Sequence, residues 1–159
     1  MDNCYFCSVL TKNIVMIKML HSGWAYIVLL LLIVSVVNAI IGLSSKRDFK
    51  EMDLRIPLFT LIVVHIQLII GLVTYFLSAQ FDFLREKGMG EAMKEAGIRY
   101  FIMEHPLMMI LAIALITIGF SRHKRMATAN AKFKTIALYY GIALLFVLSR
   151  IPWAQWWSL

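Results

Sequence analysis

The stretch Gly23–Leu43, GWAYIVLLLLIVSVVNAIIGL, carries no charged side chain. About 20 apolar residues in a helix span the hydrocarbon core of a bilayer, so this run is long enough to cross. Three further blocks repeat the pattern. Ile56–Ala79 is broken in polarity only by His65, Gln67 and a few hydroxyls, and two more apolar runs cover residues 100–121 and 135–150. The chain is 61% hydrophobic, against about half for an ordinary soluble domain, and the excess lies in these blocks. Four spans at about 23–43, 56–79, 100–121 and 135–150 occupy most of its 159 residues and leave no room for a separate soluble domain. The expectation is an all-α integral membrane protein, a four-helix up-down bundle over residues 19–159 with short connections between spans one and two and between spans three and four.

The charge sets an expected orientation. The formal net charge is +7, and nine of the sixteen basic residues lie in two places: Lys46, Arg47, Lys50 and Arg55 after span one, and Arg122, Lys124, Arg125, Lys132 and Lys134 after span three. Such clusters mark the cytoplasmic side of a membrane protein, not a nucleic-acid footprint. Both termini and the loop from about Gln80 to Arg99 are then expected outside. That loop is near neutral, because Asp82, Glu86, Glu91 and Glu95 offset its four basic residues. Residues 90–97, with Glu91, Lys94 and Glu95 at pairing distance along a helix, are expected to form a short surface helix.

Residues 1–18 read as a poorly patterned lead, with Met16 or Met19 as alternative starts and no convincing cleavable signal. The motif Cys4-Tyr5-Phe6-Cys7 within it is a lone C-x-x-C, a weak sign of metal or redox chemistry. At the other end Trp153, Trp156 and Trp157 are expected at headgroup level, anchoring the C-terminus.

Helix packing in lipid relies on close approach of small residues. Ser35, Asn38 and Gly42 share one face of span one, and Ala112 and Gly119, seven apart, share one face of span three; both faces are expected to turn inward. Pro57 is expected in the first turn of span two, where its missing N–H costs nothing.

The four histidines differ in depth. His123, within Arg122-His-Lys-Arg, is expected to be a solvated loop residue. His65 lies nine residues into span two, about 14 Å deep and close to the midplane, where an ionisable side chain usually marks function. His21 and His105 sit at the outer ends of spans one and three. These helices are diagonal in an antiparallel bundle and run the same way, so the two imidazoles are expected to face each other across the centre. Two facing imidazoles suit the axial positions of a haem iron, with His65 as an alternative ligand and Gly23, Ala25 and Ala112 as the small residues beside it. Glu104 and Arg150, near the same level, are expected to orient a ligand imidazole, to meet a haem propionate, or to pair with each other.

The phrases His21-Ser-Gly-Trp24, His65-Ile-Gln67 with Gly71, Glu104-His-Pro106 and Arg150-Ile-Pro-Trp153 resemble small four-helix bacterial membrane proteins labelled cytochrome B, over roughly residues 19–157. That resemblance implies b-type haem, electron transfer and the bacterial cytoplasmic membrane. The arrangement is also distantly similar to the cytochrome b561 group, whose haems bridge alternate helices, although this chain lacks the second ligand pair of those proteins. A half-bundle of haem A synthase is similar in outline. Three functions therefore stand open: a haem protein passing electrons to or from quinol or a partner subunit, with His65 and Gln67 considered for a quinone pocket; an enzyme acting on haem or a lipid-soluble substrate, with Glu104 moving a proton; and a non-catalytic membrane subunit whose histidines only join helices.

Overall fold

In the computed structural model the chain is helical along almost all of its described length, which is the backbone of residues 2–153 and the side chains of residues 12–153. In order, α1 runs Asp2–Ser44, α2 Glu51–Phe76, α3 Ala79–Lys94, α4 Ala96–Arg99, a wide π-type turn Tyr100–Glu104, α5 His105–His123 and α6 Ala129–Ser149. Cys4 and Cys7 fall in the helical backbone of α1, with side chains outside the described residues, as are Trp156 and Trp157.

Among the described residues four helical segments are long and apolar enough to cross a membrane: Lys12–Ser44, Glu51–Phe76, Ala96–His123 and Ala129–Ser149. No segment buries more than 33% of its most apolar stretch inside the protein. Leu30, Ile40, Ile69, Ile110 and Leu145 instead project outward at half exposure or more. An apolar exterior of this kind is matched to lipid, because water would penalise it.

The interior is written in a three-four spacing. On α1 the inward line is His21, Ala25, Val28, Leu32, Ser35, Ala39 and Gly42, a seven-residue repeat that follows the seam of a left-handed bundle. On α2 it is Asp53, Pro57, Thr60, Val64, Gln67 and Gly71; on α5 it is His105, Ala112, Ile116, Gly119 and His123; on α6 it is Phe133, Ile136, Tyr140, Ala143, Val147 and Arg150. Around the bundle α1 packs closely on both α2 and α6, and α6 packs on α5. The contact between α2 and α5 is the least extensive of the four sides.

Small residues set the close approaches, as expected for Gly42 and Gly119. A methyl group on Gly42 would lie 2.4 Å from the Phe133 ring, and one on Gly119 would lie 2.5 Å from Cβ of Tyr139. At mid-bundle the Ser35 and Thr60 hydroxyls meet at 2.7 Å, and Thr60 also donates to the Leu31 or Ile56 carbonyl, both at 3.1 Å. Tyr140, fully buried, reaches across to donate to the Pro57 carbonyl at 2.9 Å.

Several helix ends depart from expectation. α2 begins at Glu51, earlier than its hydropathy predicts, because Asp53 caps it by accepting from the Lys50 backbone N–H at 2.8 Å. Pro57 is therefore interior to the helix, not in its first turn. The third span starts at Ala96, and α6 starts at Ala129 behind Thr128, whose hydroxyl accepts from the Ala131 N–H at 3.2 Å. The surface helix expected at 90–97 is a longer α3 that starts at Ala79 behind Ser78, a cap for Phe81, and turns sharply at Gly88 (φ 80°). Only glycine adopts that φ without strain. The Glu91–Lys94 pair does form, at 2.6 Å.

Candidate functional site

The inner lines of four helices end together at one end of the bundle. α1 brings His21 there, α2 brings Gln67 and Gly71, α5 brings His105, and α6 brings the Arg150 carbonyl. The imidazole centroids of His21 and His105 are 6.3 Å apart, with planes at 76°. An imidazole nitrogen binds a metal ion at about 2 Å, so two imidazoles on opposite sides of one ion have centroids about 6 Å apart.

Local chemistry places each ring. His105 follows the wide turn Tyr100–Glu104, closed by the His105 N–H bonding to the Tyr100 carbonyl. Pro106 comes next, and a proline in an ordinary helical turn clashes with the carbonyl four residues back, here that of Ile102. The extra residue in the turn opens that space, and the Ile102 carbonyl accepts from Tyr75 at 3.4 Å. Turns of this type recur at functional sites.

Beyond the end of α6, before Pro152, the Arg150 carbonyl is left without a helical partner. It accepts from the Tyr100 hydroxyl at 2.8 Å and from Nδ1 of His105 at 2.7 Å. A carbonyl can only accept, so Nδ1 of His105 carries the proton and Nε2 keeps its lone pair.

His21 is held differently. Its backbone carbonyl accepts from Nε2 of Gln67 at 3.0 Å, and one turn further along α1 the Trp24 indole donates to the Val63 carbonyl at 3.1 Å. A Cβ on Gly71 would sit 3.2 Å from Cε1 of His21, so glycine leaves room for the ring. Nδ1 of His21 and Oε1 of Gln67 are buried without a protein hydrogen bond, and so is Nε of Arg150, whose nearest partner is Glu104 at 3.6 Å. Among the described residues these are the buried side-chain polar atoms that make no hydrogen bond, and all three belong to this cluster. Buried polar groups are nearly always satisfied, and an unpaired one costs about 1–3 kcal/mol. Hydrogen-bonding capacity is therefore left open at this end of the bundle.

Glu104 and Arg150 do come together. Nε of Arg99 lies 3.0 Å from one oxygen of Glu104, and Nε of Arg150 lies 3.6 Å from the other. Arg99, which sequence reasoning did not single out, also donates to the Met93 carbonyl at 2.8 Å. Two guanidinium groups thus flank one carboxylate beside the histidine pair.

Other candidates lie elsewhere. His65 is exposed on the outer face of α2, its Nδ1 turned back to the Leu61 carbonyl at 2.7 Å. It lies on roughly the opposite side of the helix from Gln67, the residue that does enter the cluster. Gly23, expected beside the pair, is exposed with open space around it, because two residues on from His21 is the far side of a helix. Ala25, one turn on from His21, and Ala112, two turns on from His105, keep the inward line. His123 is a correction: it is 1% exposed, donates from Nδ1 to the Phe120 carbonyl at 2.5 Å, and packs between Phe49 and Phe120. Its place four residues after Gly119, on the inward line of α5, was the signal for this.

The opposite end holds a second polar cluster. Arg47 grips Asp53 with both terminal nitrogens, at 2.6 and 2.7 Å, and Asn38 donates to the same carboxylate at 2.8 Å while accepting from Arg47 at 2.9 Å. The Asp53 hydrogen bonds hold the Arg47 guanidinium above its ordinary pKa. Nothing in this cluster is left unpaired.

Compared with family models, curated proteins and solved structures, the chain matches none.

Proposed function

We propose that the chain is a b-type cytochrome-like protein of the bacterial cytoplasmic membrane, an up-down bundle with both termini outside. In this reading it binds one haem between His21 and His105 and passes electrons to or from quinol or a partner subunit. The observation that carries it is the histidine pair, with ring centroids at the separation two imidazoles on one metal ion need, beside buried polar atoms that make no hydrogen bond. The donor set favours a haem over a bare ion. Among the described residues no three His, Cys, Asp or Glu side chains converge on a point, whereas a porphyrin brings its own four nitrogens and asks the protein for two.

Bound haem would supply one-electron transfer. The protein's part is to hold two imidazoles and to set their surroundings. His105 would ligate through Nε2, with the Arg150 carbonyl fixing the tautomer and raising the ring's basicity, as outer partners of metal-bound histidines do. On α1 the His21 ring would supply the second imidazole, its Nδ1 beside Gly71 and free of any protein hydrogen bond. Arg99 and Arg150 would offer their remaining donors to propionates, with Glu104 between them limiting the net positive charge. Both oxygens of Glu104 face guanidinium groups, Arg99 at 3.0 Å and Arg150 at 3.6 Å, which suits a positioning part better than that of a proton carrier in a haem-modifying enzyme. The loose side between α2 and α5 is the natural approach for a lipid-soluble quinol.

The test is the visible spectrum of detergent-purified, haem-replete protein. Sharp reduced-minus-oxidised α and Soret bands are expected, lost in His21→Ala and His105→Ala and kept in His65→Ala and His123→Ala. A wild-type protein that takes up no haem refutes the reading, and bands that persist in His105→Ala but vanish in His65→Ala would move the ligand to α2.

A further inference from the structure

At the end of the bundle opposite the histidine pair, a cavity of about 310 Å³ opens between the start of α2, the end of α5 and the start of α6. Its lining includes Phe49, Lys50, His123, Lys124 and Lys132. Aromatic faces support two of these ammonium groups: Nζ of Lys124 lies 4.4 Å from the Phe120 ring centroid and Nζ of Lys132 lies 5.3 Å from that of Phe49. Phe49 in turn stacks on His123 and Phe133, so the floor under the lysines is part of the packed interior. None of the ion pairs among the described residues involves Lys50, Lys124 or Lys132. The one carboxylate on the rim, Glu51, is engaged by Arg55 at 3.1 Å. The N-terminus of α2 adds its partial positive charge at the same point.

Three unneutralised ammonium groups around one concavity, two of them seated on aromatic rings, form a receptor for a compact anion with several acceptor oxygens. We propose that this cavity binds the phosphate of an anionic phospholipid headgroup. The choice of a lipid follows from position: the cavity lies at the ends of the helices long and apolar enough to cross a membrane, where headgroups would sit, and the apolar side chains of Leu54 and Phe49 are part of its lining. Basic recesses between helix ends are suited to such headgroups.

The experiment is native mass spectrometry of the full chain released from detergent after incubation with phosphatidylglycerol, phosphatidylcholine or inorganic phosphate. Wild type is expected to retain phosphatidylglycerol in preference to phosphatidylcholine, without displacement by inorganic phosphate. The double variant Lys124→Gln/Lys132→Gln, which removes two cations, is expected to bind phosphatidylglycerol about thirtyfold more weakly. Lys46→Gln, a basic position after α1 outside the cavity, is expected to match wild type. Unchanged thermal unfolding of the double variant separates lost binding from lost fold. Equal loss in Lys46→Gln, or equal retention of phosphatidylcholine, would overturn the site. Lysine-dependent binding of inorganic phosphate without phosphatidylglycerol binding would overturn the lipid as its occupant.

Discussion

Two polar clusters sit at opposite ends of the same bundle and differ in one respect, their hydrogen-bond balance. Around Asp53, Arg47 and Asn38 each donor meets an acceptor at 2.6–2.9 Å, and the backbone of Lys50 completes the set. Around His21, His105, Gln67 and Arg150 the backbone anchors are equally good, yet three buried side-chain atoms make no hydrogen bond, Nε of Arg150 reaching Glu104 only at 3.6 Å. A saturated network fixes the path of the chain, here the turn from α1 into α2. An unsaturated one, held rigid by its own second contacts, keeps functional groups ready for something else. Polar groups within a membrane are costly at either end; only the second end keeps them without using them internally.

Substitutions at the two ends should differ in what they remove. The largest effect belongs to the histidine pair. His21→Ala or His105→Ala is expected to remove haem binding altogether, while thermal unfolding of the haem-free protein stays close to wild type, because the lost atoms made few structural bonds. A large fall in the stability of haem-free His21→Ala would make that end structural too.

Next is Asp53→Ala, which strands Arg47, Asn38 and the Lys50 N–H. Breaking a buried pair costs about 3–5 kcal/mol, and the 31% exposure of Arg47 places the loss near the lower bound. Unfolding in mixed micelles should show this, with haem stoichiometry unchanged below the transition. Haem loss in Asp53→Ala at temperatures where the helices persist would couple the two ends and dissolve the distinction.

Glu104→Gln removes the negative charge between Arg99 and Arg150. Loss of an anion near a redox centre favours the reduced form, so the midpoint potential is expected to rise by tens of millivolts, on the order expected for one partly screened charge. A potential titration showing a fall would place Glu104 outside the electrostatic reach of the site. The smallest effect is expected midway between the ends: Ser35→Ala removes one hydroxyl pair with Thr60 and should cost about 0.6 kcal/mol, the usual worth of such a bond between membrane helices.

How much of this was legible in the sequence depends on whether a residue carried phase. Apolar side chains line both the lipid face and the core, so Leu and Ile reveal the spans but not their rotation. Small and polar residues do reveal it. Ser35, Asn38 and Gly42 pointed the inward face of α1, and Ala112 with Gly119 that of α5. The meeting of His21 and His105 followed from depth and helix order. For His123 and His65, depth and neighbouring charges say less than angular position. Counting by threes and fours from Gly119 puts His123 inside, and counting from Thr60 through Val64 to Gln67 puts His65 outside. Helix starts were illegible because hydropathy does not register a cap. Asp53, Thr128 and Ser78 extend helices through residues too polar to belong to an apolar block. The wide turn before His105 was hidden as well, since its cause is the steric demand of Pro106 on a single carbonyl. The Arg47–Asp53–Asn38 network escaped because its partners lie in three different segments, the inner face of a span, a loop and a helix start.

In the proposed reading His21 and His105 are the two axial ligands of one haem. Electron paramagnetic resonance of the oxidised, haem-loaded protein tests it most directly. Two neutral imidazoles with planes near perpendicular, as at 76° here, predict a low-spin ferric signal of strong anisotropy, which His105→Ala converts to high spin or abolishes. A high-spin signal from the wild-type protein, or a low-spin signal unchanged in His105→Ala, would contradict it.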